Sequence, residues 1–299
     1  MREKAVIGLI APGSSVNPGA IDLCVRAIER LGFNAVVGDA CVGYQDENGI
    51  RFNDAERARD LMRMFADPCV SGIMALRGGY GCGRLLNLVD YELIGRNRKP
   101  LFGYSDITAL HVALAQKAGL RTYHTPMPAT EFIDGMDNFS TEHLLRCLHE
   151  IKPFGAIDNP PDIPLITLRK GQCEGILVGG NLAVITSLLG TPYEIDTCGK
   201  VLFLEDIDEP YYKIDRMLLQ LRLAGKFDDC AGVLFGSFTQ EGNALNCNIL
   251  AEIFNSYFRD RKNPVIYNLA CGHCLPTVSL PLGRRVFVDA DNVKIGGIE

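Results

Sequence analysis

The sequence predicts an α/β protein: an N-terminal domain built on a parallel sheet, then a mixed α/β domain with a β-rich tail. Three observations predict it. Short apolar runs alternate with stretches of helical periodicity through the first half of the chain. Such repeated β-α units leave the strands parallel and cover both faces of the sheet. The pattern then breaks at Asp158-Asn159-Pro160-Pro161-Asp162-Ile163-Pro164, which suits neither helix nor central strand. Beyond the break the alternation resumes, and the chain closes on three short apolar runs spaced like a meander, at 277–280, 285–288 and 293–295.

The elements follow in order. Residues 5–10 read as a first strand ending in Ala11-Pro12-Gly13-Ser14-Ser15. Residues 18–31 read as a helix with Ile21, Val25, Ile28 and Leu31 on one face and Gly32 closing it. A short strand at 34–37 precedes a helix at 53–65, capped by Asn53 or Asp54, with Leu61, Met64 and Phe65 inward. A strand at 72–76 runs into Arg77-Gly78-Gly79-Tyr80-Gly81-Cys82-Gly83, and 84–93 reads as one helix. The run 101–104 has the size of a buried strand, and the apolar residues of 106–117 fall mostly at helical spacing. A strand at 121–123 and a surface helix bearing His143 and His149 complete the first half. The expected division is a domain over 1–150, a linker over 151–170 and a domain over 171–299. In the second domain, strands are expected at 174–178, 200–204, 231–235 and 264–267, and helices at 182–189, 210–223 and 245–258.

Composition narrows the function. At 47% hydrophobic and 22% charged residues over 299 positions, the chain is globular. A net charge of −6 without a basic cluster argues against nucleic-acid binding. No apolar run reaches the roughly 20 residues that span a bilayer. The apolar run 5–11 is too short and too closely followed by a turn for a signal peptide. The 11 cysteines are scattered without repeated spacing, which fits a reducing compartment, so a cytoplasmic protein is expected. Cys271-Gly272-His273-Cys274 has metal-binding residue types but no second ligand pair at zinc spacing; neither a metal nor a cofactor is expected.

Ser105 stands where a strand turns into a helix, within Gly103-Tyr104-Ser105-Asp106. A serine so placed has its hydroxyl near the positive end of the helix dipole and beside unpaired N–H groups, as in a nucleophile elbow. The second glycine of Gly-x-Ser-x-Gly is replaced by Ile107, and the motif alone favours reading Ser105 as a helix N-cap over a nucleophile. The Gly-rich run from Gly78 to Gly83 is not a nucleotide fingerprint; it is an anion hole or a flexible turn. A serine nucleophile needs a base and an orienting acid. His111 falls inside the helix after Ser105, while His124 lies on the ligand-bearing sheet edge and is a candidate for substrate binding. His273 follows a strand, and Gly272 lets its loop turn tightly. Glu205 and Asp206 end a buried strand, where a carboxylate is costly unless paired or functional.

These segments resemble the LD-carboxypeptidase family of serine peptidases, which includes the microcin-immunity hydrolases. The resemblance rests on Ile10-Ala11-Pro12-Gly13-Ser14, Ala75-Leu76-Arg77-Gly78-Gly79-Tyr80-Gly81, Gly103-Tyr104-Ser105-Asp106, Gly180-Asn181-Leu182, Leu204-Glu205-Asp206, and the run from Gly272-His273-Cys274 to Ser279-Leu280-Pro281-Leu282-Gly283. It spans nearly the whole chain in the family's order. It implies a flavodoxin-like N-terminal domain, a triad of Ser105, His273 and Glu205, and a homodimer. It also implies release of terminal D-alanine from peptidoglycan stem tetrapeptides in cell-wall recycling, through an acyl-enzyme. The oxyanion donors expected with it are the N–H groups of Gly79 and Asp106, and the substrate contacts Arg77, Gly78 and His124. The family often has His-Gly-Pro where this chain has His124-Thr125-Pro126, and the chain has no tryptophan on which a nucleobase could stack. Two other readings stand beside this one: a microcin-type or other acyl-amino-acid amidase, and a non-catalytic two-domain protein that binds a small ligand.

Overall fold

The computed structural model describes residues 4–42, 53–133, 135–149 and 154–298. The chain divides into two compact units, Met1–Met136 and Asp137–Glu299.

The first unit alternates strand and helix: β1 (Val6–Ile10), α1 (Pro18–Arg30), β2 (Asn34–Val37), α2 (Asp54–Ala66), β3 (Val70–Ala75), α3 (Cys82–Leu85), α4 (Tyr91–Arg96), β4 (Leu101–Gly103), α5 (Thr108–Ala118) and β5 (Thr122–His124). The strands pair in the order β2-β1-β3-β4-β5, all parallel. This is the flavodoxin-like order. The inner strands β1, β3 and β4 are covered on both faces, with Leu9, Ile73, Met74, Leu101 and Phe102 fully buried, while the edge strand β2 leaves Asn34 and Val36 exposed. The helices supply the cover. α1 turns Ile21, Cys24, Ala27 and Ile28 inward from a start preset by Pro18. α5 is buried along almost its whole length and stops at Gly119, whose φ of 62° only glycine adopts freely. The order of the sheet reverses at β1, between β2 and β3. Loops leaving β1 and β3 at their carboxyl ends therefore diverge and leave a crevice. The one helix expected at 84–93 is two. The Asp90 carboxylate accepts the Leu93 N–H at 2.9 Å and starts α4 afresh. A local cap thus overrides the apolar periodicity that suggested a single helix.

The second unit comprises α6 (Asn138–Leu148), β6 (Ile166–Arg169), β7 (Gln172–Asn181), α7 (Leu182–Ser187), β8 (Val201–Ile207), α8 (Tyr211–Leu223), β9 (Gly232–Gln240), β10 (Asn243–Ala244), α9 (Cys247–Phe258), β11 (Val265–Tyr267), β12 (Leu280–Leu282), β13 (Arg285–Asp289) and β14 (Lys294–Gly297). Its sheet runs β14-β13-β7-β8-β9-β11-β6, with β10 folded back on β9. The central strands β7, β8, β9 and β11 are parallel. The flanks are antiparallel: β6 on β11, β13 on β7 and β14 on β13. An aromatic cluster fills the space between β9 and α9, where the Phe235 and Phe254 rings stack at 3.9 Å.

Two expectations change here. The division falls at residue 136, so α6 belongs to the second unit, and His143 is not on a surface helix but is buried against the Phe139 ring. Residues 154–170 are not a free linker. Asn159 donates to the Ile163 and Asn268 carbonyls and accepts from the Ala270 N–H, and β6 pairs with β11. The prolines end before β6, a four-residue, half-buried edge strand of alternating apolar and polar residues, Ile166-Thr167-Leu168-Arg169. Residues 151–153 lie outside the described residues. No helix among the described residues is long and apolar enough to cross a membrane.

Candidate active site

Ser105 follows β4 and opens a single tight turn, Ser105–Ile107, that leads into α5. Its φ is +64°, left-handed for a residue with a Cβ. That conformation costs about 1–2 kcal/mol and persists only where its surroundings impose it. The surroundings are visible. The Gly103 carbonyl accepts from His111 Nε2 at 2.8 Å and from the Thr125 N–H at 3.2 Å. The Tyr104 hydroxyl donates to Glu131 at 2.7 Å. His111 is buried, and burial pushes its imidazole down to about 3, so the ring is neutral and its Nε2–H is the donor. The N-cap alternative for Ser105 falls away: the caps of the turn and of α5 are Tyr104 and Ile107, and neither has a side-chain cap bond.

The loop after β3 meets this turn with bare backbone. A Cβ on Gly78 would lie 2.7 Å from Ser105 Cβ and 2.9 Å from its Oγ. Only glycine permits that approach. The Gly78 carbonyl accepts the Ser14 N–H at 2.9 Å, and Ser14 Oγ accepts the Tyr80 N–H at 3.2 Å. Gly79 lies over Ser14 with a φ of +95°. The Asp106 carboxylate is buried and accepts the Cys82 N–H at 2.8 Å, and burial holds it above the usual carboxylate range. Arg77 is half-buried, and its Nε is enclosed without a hydrogen-bond partner among the described residues. His124 is displaced from its expected place. It is 1% exposed, in the core behind the turn, with its ring against those of Tyr104 and His111. The strand end is on the expected edge, but its side chain points into the packing.

In the second unit β8 continues through Glu205 and Asp206. Successive strand side chains take opposite faces, so the two carboxylates part company. Glu205, fully buried, accepts from His273 Nδ1 at 2.7 Å. A carboxylate only accepts, so Nδ1 holds the proton, and in the neutral ring the lone pair falls on Nε2, the arrangement of a general base. Gly272 makes room: with φ +116°, a Cβ there would come within 2.5 Å of Glu205 Oε2. The loop is pinned where the Cys271 carbonyl accepts from Ser237 N–H at 2.9 Å and Ser237 Oγ at 3.1 Å.

Asp206 serves the other face. It accepts from Asn181 Nδ2 at 2.9 Å, the Ala183 N–H at 3.0 Å and the Ile207 N–H at 2.8 Å. Burial, and then the neighbouring Glu205 charge, raise its carboxyl to about 7. Its ordinary value is about 3.9. The folded state therefore binds the proton more tightly than the unfolded chain does. Stability from this group is fully present below about pH 4 and is lost as pH rises through about 7. In urea titrations Asp206→Asn is expected to give a flatter pH profile than the wild type between pH 4.5 and 8. Parallel profiles would refute the shift.

The structure thus assembles two groups: Ser105 with Gly78, Gly79 and Asp106 in the first unit, and Glu205 with His273 in the second. Among the described residues no cluster of three or more His, Cys, Asp or Glu side chains could hold a metal ion. Sequence reasoning missed Arg57, a buried arginine of α2 that holds the loop after β1. A charged residue in a helix otherwise reads as solvent-facing, and no local signal marks it.

Known proteins share both units. Residues 7–125 match the family model of the LD-carboxypeptidase N-terminal domain, and residues 174–288 that of the C-terminal domain. A probable murein peptide carboxypeptidase of Bacillus subtilis is 38% identical over 287 residues, 93% of this chain and 87% of that protein. The crystal structure of a muramoyltetrapeptide carboxypeptidase from Oxalobacter formigenes superposes with a TM-score of 0.80 at 29% identity, covering 97% of each chain. An MccF-like protein from Bacillus anthracis superposes at 0.85 with 27% identity, covering 99% of this chain and 97% of that one.

Proposed function

The chain belongs to the LD-carboxypeptidase family and is a hydrolase of that family, and from that premise we propose that it is a serine carboxypeptidase that removes the terminal D-alanine of peptidoglycan stem tetrapeptides. The observation that carries the reading is the His273–Glu205 hydrogen bond of 2.7 Å, which sets the imidazole in the tautomer of a base. Ser105 is its nucleophile. His273 Nε2 takes the hydroxyl proton as Oγ attacks the carbonyl carbon of the L,D-amide. The N–H groups of Gly79 and Asp106 hold the oxyanion, a role supported by the close approach of Gly78 to Ser105. His273 returns the proton to the leaving amine, D-alanine departs, and water resolves the ester by the same base. Glu205 keeps the ring oriented and stabilises the imidazolium. Arg77, half-buried beside the glycine loop, binds the terminal carboxylate through its guanidinium. The enzyme works as a cytoplasmic homodimer in cell-wall recycling.

Purified protein incubated with tetrapeptide and tripeptide muropeptides is expected to release D-alanine from the tetrapeptide alone. No D-alanine from the tetrapeptide would remove this substrate. The likeness to the MccF-like fold supports a second reading, an acyl-amino-acid amidase of microcin type. Cleavage of an aminoacyl-adenylate mimic with the tetrapeptide left intact would select it.

A further inference from the structure

Arg57 is 1% exposed, which for a guanidinium is tolerable only if most of its donors are used; both Nη groups are engaged, and Nε is buried without a hydrogen-bond partner among the described residues. Its Nη1 donates to the Pro12 carbonyl and, at 3.0 Å, to the Gly13 carbonyl, both in the loop after β1. Its Nη2 donates to Asp54 on the preceding turn of α2, and Asp54 in turn pairs with Arg84 at 2.8 Å. The same guanidinium lies where a Gly81 side chain would stand, so it also abuts the loop after β3. Across that loop the Asp106 carboxylate takes the Cys82 N–H at 2.8 Å, and a Cβ on Gly13 would lie 3.1 Å from its Oδ2. A buried cation and a buried anion therefore grip the two loops at the sheet's switch point, one residue from Ser105.

We propose that Arg57 and Asp106 are a pair of positioning residues that hold the 78–82 loop against Ser105, so that its N–H groups meet the oxyanion at the right distance. Neither side chain touches the reacting atoms. Their effect falls on the transition state, because an oxyanion forms only there. A displacement of about 1 Å in such a donor costs on the order of a hundredfold in rate. The inference rests on Ser105 being the nucleophile.

Arg57→Lys and Asp106→Asn test it in the full-length protein. D-alanine release from the tetrapeptide is divided by the number of active serines titrated with a fluorophosphonate. Each variant is expected to lower kcat per titrated site about ten- to a hundredfold, with KM within about twofold. The double variant is expected to lose less than the product of the two losses, since both act on one loop. A merely structural role would reduce the number of titratable sites and leave kcat per site unchanged. That result, or a loss confined to KM, overturns the proposal. If Arg57→Lys does not fold, the near-isosteric Asp106→Asn decides alone. A wild type that releases no D-alanine removes the substrate reading and this inference together. An active wild type with undiminished variants removes this inference only.

Discussion

Ser105→Ala is expected to lower D-alanine release by about 10⁴-fold or more while leaving the fold intact. The size follows from what the hydroxyl does. Without Oγ there is no acyl-enzyme, and the residual rate comes from the oxyanion donors and from substrate binding alone. The fold survives because the hydroxyl caps no helix and Ala at φ +64° bears the same strain as Ser. Thermal unfolding of variant and wild type should therefore coincide closely, and fluorophosphonate labelling should vanish. Undiminished release by a correctly folded variant would remove Ser105 as the nucleophile.

Glu205→Gln is expected to cost about 10³–10⁴-fold in kcat, with the protein at least as easy to fold. The amide is nearly isosteric, and a neutral group costs less to bury at a position that is fully buried. The loss is one of tautomer. Toward His273 Nδ1 an amide can present its N–H₂, which then donates to Nδ1 and leaves the ring proton on Nε2, where a base needs a lone pair. A second readout is independent of turnover. The Glu205 charge is one of the two causes that raise the Asp206 carboxyl, so the Asp206 titration should move to lower pH in this variant. Activity within tenfold of wild type would exclude Glu205 as the orienting acid.

Much of this was legible along the chain. The first unit's inner strands β1, β3 and β4 are mostly apolar because both faces are covered, and such runs between helical stretches identify a parallel sheet without any partner in view. The candidate residues stood out because each interrupts or ends an apolar run: Ser105 after β4, Glu205 within β8, and His273 in the loop that follows β11. The misreadings have one cause. Residues 84–93 looked continuous because periodicity does not register a cap inside it, and β6 was hidden because its four residues directly follow the proline-rich run and pair only with the distant β11. His124 and His143 were placed by their elements, but their burial is decided by what packs on those elements.

The sequence by itself determined the alternation of elements, the two-part organisation and the short list of groups able to do chemistry, because periodicity, glycine and strand ends are local properties. Only the tertiary structure decided which adjacent carboxylate is hydrogen-bonded to His273. Strand geometry sends Glu205 and Asp206 to opposite faces, but which face holds the histidine depends on a loop 68 residues further on. It also decided that Ser105 is strained rather than capping, since the grip on Gly103 and Tyr104 comes from His111, Thr125 and Glu131. Long-range partners set the charge, tautomer and backbone angle of each group, and those three quantities separate a reactive residue from a packed one.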